Sequence, residues 1–154
     1  MSKLIVNSFK EFAAFEGKEI GTSGYLKLTQ DIINKFANAT LDHQWIHTDP
    51  EKAKNESQFK STIAHGYLTL SVLPYLWEQI IEVNNIKMQV NYGIEKFKFM
   101  EAVRVDDEVR LKVKVLSIKD LRGICKAEMK ATLEIKDRKK AAYTGNIIFL
   151  YHFE

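Results

Sequence analysis

The chain has 154 residues, 45% of them hydrophobic and 28% charged, with a formal net charge of +3. This length and balance fit a single globular domain spanning 1–154 and exclude a low-complexity or disordered chain. No apolar run reaches the roughly eighteen residues of a spanning helix, so no membrane partner is expected.

The N-terminal stretch "MSKLIVNSFKEFAAFEGKEI" scatters charges where a signal peptide would need an unbroken apolar core. The one cysteine, Cys125, has no intrachain partner, which suits a reducing compartment. A cytoplasmic location is therefore expected. The basic excess is uneven: residues 1–85 hold 8 Lys/Arg against 10 Asp/Glu, and residues 86–154 hold 15 against 10. A solvated sheet face accounts for the second half, with attraction for a phosphorylated ligand as the alternative. No basic cluster interleaved with aromatics marks a nucleic-acid partner.

"LTQDIINKFANAT" places Thr29 to cap a helix whose apolar face is Ile32, Ile33, Phe36 and Ala37. "DPEKA" repeats the signal, with Asp49 as cap, Pro50 at the first helical position and Glu51 in the first turn. Residues 43–48 are expected to be a loop before that helix. "AHGYLTLSVLPYLWEQIIE" is apolar nearly all round, which predicts a long buried helix kinked at Pro74.

After residue 85 the period changes to two. "IKMQVNYGIEKFKF" reads as a strand with a bulge at Gly93. Val109, Leu111, Val113 and Val115 alternate with Arg110, Lys112 and Lys114, and Cys125 to Ile135 alternate in the same way. "DRKK" is a turn, and "AAYTGNIIFLYHFE" a final strand. The fold class is α+β: helices first, then a curved antiparallel sheet wrapped around the long central helix. Such a sheet leaves edge strands that a second copy would cover, so a homodimer is expected.

Three of the four histidines, His43, His47 and His65, lie within 23 positions, beside Asp42, Asp49 and Trp45. Three readings stand. His43 and His47 have i, i+4 spacing, but Gln44, Trp45 and Ile46 do not complete a metalloprotease motif, so no metal is expected. The second reading is acid–base. Asp42 and His47 could grip one water, while the Gly66 amide, unblocked by a side chain at a helix start, could hold an oxygen that becomes negative. That set suits proton transfer next to a thioester carbonyl. The third reading is structural: His43 braces a loop, His65 bonds backbone near the helix start, and Trp45 packs.

Residues 36–77, "FANATLDHQWIHTDPEKAKNESQFKSTIAHGYLTLSVLPYLW", resemble the hydratase-2 motif of MaoC-like dehydratases, the (R)-specific enoyl-CoA hydratases of hot-dog fold. The matching elements are Asp42, His47, Asp49-Pro50 and Ile63-Ala64-His65-Gly66. "DHQWIH" and "NYGIEKFKF" are most similar to the nodulation protein N-like subgroup. The resemblance implies a homodimeric hydro-lyase that adds water syn across an enoyl thioester, carried by coenzyme A or an acyl carrier, with no cofactor. It implies Asp42 and His47 as the catalytic dyad and Gly66 as the amide that polarises the carbonyl. His65, Asn91, Tyr92 and Gly93 become candidate substrate-binding residues, and Lys96, Lys98 and Arg104 candidates for carrier phosphates. The family usually has Gly before the catalytic Asp, where this chain has Leu41; if that position needs positive φ, the leucine is strained by about 1–2 kcal/mol. A hot-dog thioesterase and a non-catalytic acyl-CoA-binding subunit of a paired dehydratase are the alternatives.

Overall fold

The computed structural model describes residues 2–154. Three strands and four helices come first: β1 (Leu4–Val6), α1 (Phe9–Ala13), β2 (Glu19–Thr22), β3 (Leu26–Lys27), α2 (Gln30–Thr40), α3 (Trp45–Thr48) and α4 (Pro50–Glu56). Then follow α5 (Gly66–Ser71), α6 (Leu73–Trp77), β4 (Ile81–Val83), β5 (Ile86–Phe99), β6 (Glu108–Leu121), β7 (Ile124–Ile135) and β8 (Tyr143–Phe153). Among the described residues no helix is long and apolar enough to cross a membrane.

The local signals hold where they are strong. The Thr29 hydroxyl accepts from Ile32 N–H at 3.3 Å and starts α2; the Asp49 carboxylate accepts from Lys52 N–H at 3.0 Å and starts α4. Each satisfies one amide that the first turn leaves unpaired. Residues 45–48, expected as loop, instead close one helical turn, because Asp49 N–H bonds back to Trp45 O at 3.0 Å.

A six-stranded sheet runs in the order β2-β6-β7-β8-β5, with β3 also on β6, and every pairing in it is antiparallel. Val109, Leu111, Val113 and Val115 face the core, while Arg110, Lys112 and Lys114 face out. The pairing of β5 with β8 slips between Asn91 and Gly93, at the expected bulge. A second slip, between Glu95 and Lys98, puts Lys96 at φ 50°.

The concave face packs on Leu68, Leu73, Leu76 and Trp77, with Phe12 and Ile33 closing the sides. Full burial of one such aliphatic side chain contributes about 1.5–3 kcal/mol. Trp77 Nε1–H donates to the Tyr151 hydroxyl at 2.8 Å, which ties the helical layer to β8.

The central helix departs from expectation. It is not one long helix but α5 and α6 in succession, with Val72 between them at φ −82°, ψ −4°. Pro74 has no N–H for the Leu70 carbonyl and its ring crowds that turn, so the break falls just before it. Ile81 and Glu82, expected within the helix, instead form a strand with Val83 that pairs in parallel with β1.

Candidate active site

The site forms where the end of α2, the single turn of α3 and the start of α5 meet. Leu41 ends α2 in the left-handed conformation, φ 65° and ψ 17°, with its side chain exposed. That turn throws Asp42 out of the helix axis. The Asp42 carboxylate then accepts from Gln44 N–H at 3.3 Å, a local turn that leads into α3. Position 41 thus carries the positive φ that a glycine would adopt without strain.

One residue before α5, segment 62–64 threads between α3 and residues 103–105. Ile63 N–H bonds Ile46 O at 3.0 Å, Ala64 N–H bonds Val103 O at 2.7 Å, and Val105 N–H bonds Thr62 O at 3.0 Å. Ile63 also bridges Arg104. These bonds set the height of His65 and Gly66 against α3.

His47 is buried on the inner side of α3. Its Nδ1 lies 2.7 Å from Ile63 O, and a carbonyl only accepts, so Nδ1 carries the hydrogen and Nε2 keeps a lone pair. Burial pushes the His47 pKa below the ordinary imidazole value; the Ile63 bond and Asp42 oppose this, and His65 adds to it. The neutral form is therefore favoured, as a proton acceptor requires.

His65 is 3% exposed and stacks on His47, with ring centroids 3.8 Å apart and planes 24° from parallel. Phe36 rests against it at 4.9 Å. Its Nε2–H donates to the Asp42 backbone carbonyl at 3.0 Å, and its Nδ1 is buried without a partner. Side-chain ligand atoms of Asp42, His47 and His65 lie within 4.8 Å of one another. Two such atoms can share one water, which sits about 2.8 Å from each partner. Asp42 is half-exposed at the solvent edge of this group.

A metal fits the three residues poorly. An ion must lie near the plane of each imidazole that ligates it. Two rings stacked at 24° have planes that meet only far outside bonding distance.

Gly66 is the first residue of α5, and its N-cap, His65, makes no side-chain capping bond. A Cβ on Gly66 would lie 3.0 Å from both Cε1 and Cζ of Phe99. The glycine opens on a cavity of about 230 Å³ walled by Thr69, Phe99, Glu101 and Ala142. Asn91, Tyr92 and Gly93 are brought together elsewhere, on a larger cavity of about 600 Å³ between β5 and the α5–α6 pair. Leu70 and Ser71 wall it, about one helical turn from Gly66. His65, expected among the substrate-binding residues, faces Asp42 and His47 instead of either cavity's lining. His43 is exposed, and Trp45 packs under the Lys52 ammonium at 4.8 Å.

Sequence reasoning missed Gln30. Its amide donates to His47 O at 2.7 Å and to Asn34 Oδ1 at 3.0 Å, while its carbonyl accepts from the Thr62 hydroxyl. It braces α3 against segment 62–64. A polar residue in the first turn of an amphipathic helix carries no sign of this.

Residues 11–137 match the family described as MaoC like domain. The chain is 39% identical over 145 residues to 3-hydroxyacyl-thioester dehydratase Z of Mycobacterium tuberculosis, covering 94% of this chain and 95% of that protein. It is 37% identical over 149 residues to nodulation protein N of Rhizobium meliloti, covering 95% and 92%. The unliganded R-hydratase PhaJ1 of Pseudomonas aeruginosa shares the fold, with a TM-score of 0.75 at 18% identity over 95% of this chain and 86% of that one. The curved antiparallel sheet around a helical centre is thus the hot-dog fold, and the chain belongs to the MaoC-like domain family.

Proposed function

We propose that this chain is an (R)-specific enoyl-thioester hydratase, which in reverse dehydrates (R)-3-hydroxyacyl thioesters. The observation that carries this reading is a buried, neutral His47 beside a half-exposed Asp42, next in space to the uncapped start of α5. The near full-length similarity to a 3-hydroxyacyl-thioester dehydratase supports it.

In the forward direction a water sits between the Asp42 carboxylate and His47. As its oxygen bonds to C3 of the enoyl group, one O–H bond breaks and the proton passes to the pair. The displaced electron pair moves to the thioester oxygen, where the Gly66 amide and the positive end of α5 stabilise it. C2 then takes a proton from the same side, so both atoms add to one face. Coenzyme A or an acyl carrier presents the thioester, and the cavity walled by Asn91, Tyr92 and Gly93 takes the acyl chain. Lys96, Lys98 and Arg104 remain candidates for the carrier's phosphates.

We further read residues 1–154 as one domain of this type, working in the cytoplasm as a homodimer. Strand β5 is a 14-residue sheet edge, and it exposes Met88, Val90, Tyr92 and Ile94 beside Tyr67 and Tyr75 of the helices. A long apolar edge of this kind calls for a cover, which a second copy supplies.

The test is a spectrophotometric assay. Crotonyl-CoA should lose its enoyl-thioester absorbance on addition of the protein, and His47→Ala should suppress the change. Absence of hydration at every acyl length, or an undiminished rate in His47→Ala, overturns the reading.

A further inference from the structure

We propose that His65 is a positioning residue that holds both members of the Asp42–His47 pair in register with Gly66. What is positioned rests on the hydratase reading; the positioning itself rests on geometry alone.

His65 occupies the N-cap of α5, at φ −57° and ψ 137°. A Ser, Asp or Asn there would turn back and bond the first amides of its own helix. His65 does not. Its side chain reaches 23 residues away and donates from Nε2 to the Asp42 carbonyl at 3.0 Å. The helix start keeps its unpaired amides, Gly66 among them, and the corner that carries Asp42 is tied to that same helix start.

The ring serves a second contact at once. Its face lies on His47 at 3.8 Å, and Phe36 meets the ring at 4.9 Å. His47 is held edge-on by Ile63 O and face-on by His65, which leaves its ring no room to swing.

The orientation of His65 leaves its own Nδ1 buried and unpartnered. Buried polar atoms without partners are rare and call for an explanation. Here the ring is oriented by its contacts to Asp42 and His47 rather than by its own satisfaction. With Nε2 committed and the ring sealed from solvent, His65 exchanges no proton with substrate; it acts through the other two.

Two variants separate the donor from the bulk. His65→Gln retains an N–H near the Nε2 position and loses the ring. His65→Leu fills the space and loses the donor. With crotonyl-CoA, His65→Leu should lower kcat by about a hundredfold, the loss expected from a misplacement near 1 Å, with KM changed less than about threefold. His65→Gln should recover at least about tenfold of that loss and keep the wild-type acid limb of the pH profile. Wild-type kcat in His65→Leu, or equal losses in both variants, overturns the proposal.

A readout independent of turnover is the imidazole ¹⁵N–¹H correlation spectrum. It should show His65 with its hydrogen on Nε2 and His47 with its hydrogen on Nδ1, and His65→Leu should shift the His47 signals. A His65 hydrogen on Nδ1, or His47 signals indifferent to the substitution, also overturns it. The expected spectra in a protein that hydrates no thioester would leave the positioning intact and refute the hydratase reading alone.

Discussion

The imidazoles of His47 and His65 lie face to face, 3.8 Å between centroids, yet each bonds a different backbone carbonyl. His47 Nδ1 is bound to Ile63 and His65 Nε2 to Asp42, so the two rings carry opposite tautomers. A positive charge on one ring disfavours a positive charge on the other. Burial first, and the neighbouring His65 ring in addition, favour the neutral form of His47, while the Ile63 carbonyl fixes which of its nitrogens stays free to accept a proton.

This predicts the pH dependence of both activity and stability. Burial lowers the His47 pKa from 6.5. With His47 as the proposed base, activity needs the neutral ring, so kcat should hold below pH 6.5 and fall only as pH drops through the lowered value. In the unfolded chain His47 takes up its proton near the ordinary value. Below that pH the unfolded state binds more protons, so stability is full above it and declines as pH falls through the folded value. Melting temperatures between pH 8 and 5 should show this decline, and His47→Asn should flatten it. His47→Ala should lower kcat by about 10²–10⁴.

Leu41 sits at φ 65° with its side chain 79% exposed, so the strain of a left-handed leucine is not offset by burial. Leu41→Gly should stabilise the protein by about 1 kcal/mol, an increase in Tm of roughly 2–4 °C. A lower Tm in a thermal melt would show that the exposed leucine contributes more than its backbone strain.

Gly66→Ala would bring a methyl to 3.0 Å from the ring edge of Phe99 and into the cavity beside the helix start. Phe99 is 43% exposed and can yield, so Tm should fall by only a few degrees. The rate should fall far more, by about 10²-fold, because the amide that would meet the thioester oxygen is screened. Full activity with intact Tm would remove Gly66 from the mechanism.

Charges on the open edge test the dimer. Val90→Glu with Ile94→Glu places two carboxylates on an exposed apolar edge strand without touching the core. Sedimentation should give a dimer for the wild type and a monomer for the variant. A wild-type monomer at micromolar concentration would count against a paired β5.

The legible features in the sequence were those whose cause lies within a few residues. Thr29 and Asp49 announce helix starts because a cap bonds amides three positions away. The alternation of β7, and of β6 from Val109 to Val115, survives because a strand must send successive side chains to opposite faces; a slip in register between Val115 and Ser117 interrupts it. Gly93 marks a slip in register, and the motif around Asp42, His47 and Gly66 identifies the family.

Other features had no local sign. Ile81 and Glu82 read as the end of an apolar helix, yet with Val83 they form a strand because Leu4–Val6 lies alongside to pair with them. The partner of His65 is 23 residues distant, and Gln30 meets His47 across 17. By itself the sequence determined the caps, strand periods, helix-breaking proline and motif, since these arise from short-range sterics and hydrogen bonds. Tertiary packing decided which carbonyl each histidine bonds, and hence which nitrogen stays free, because those partners meet only when distant segments are pressed together around one core.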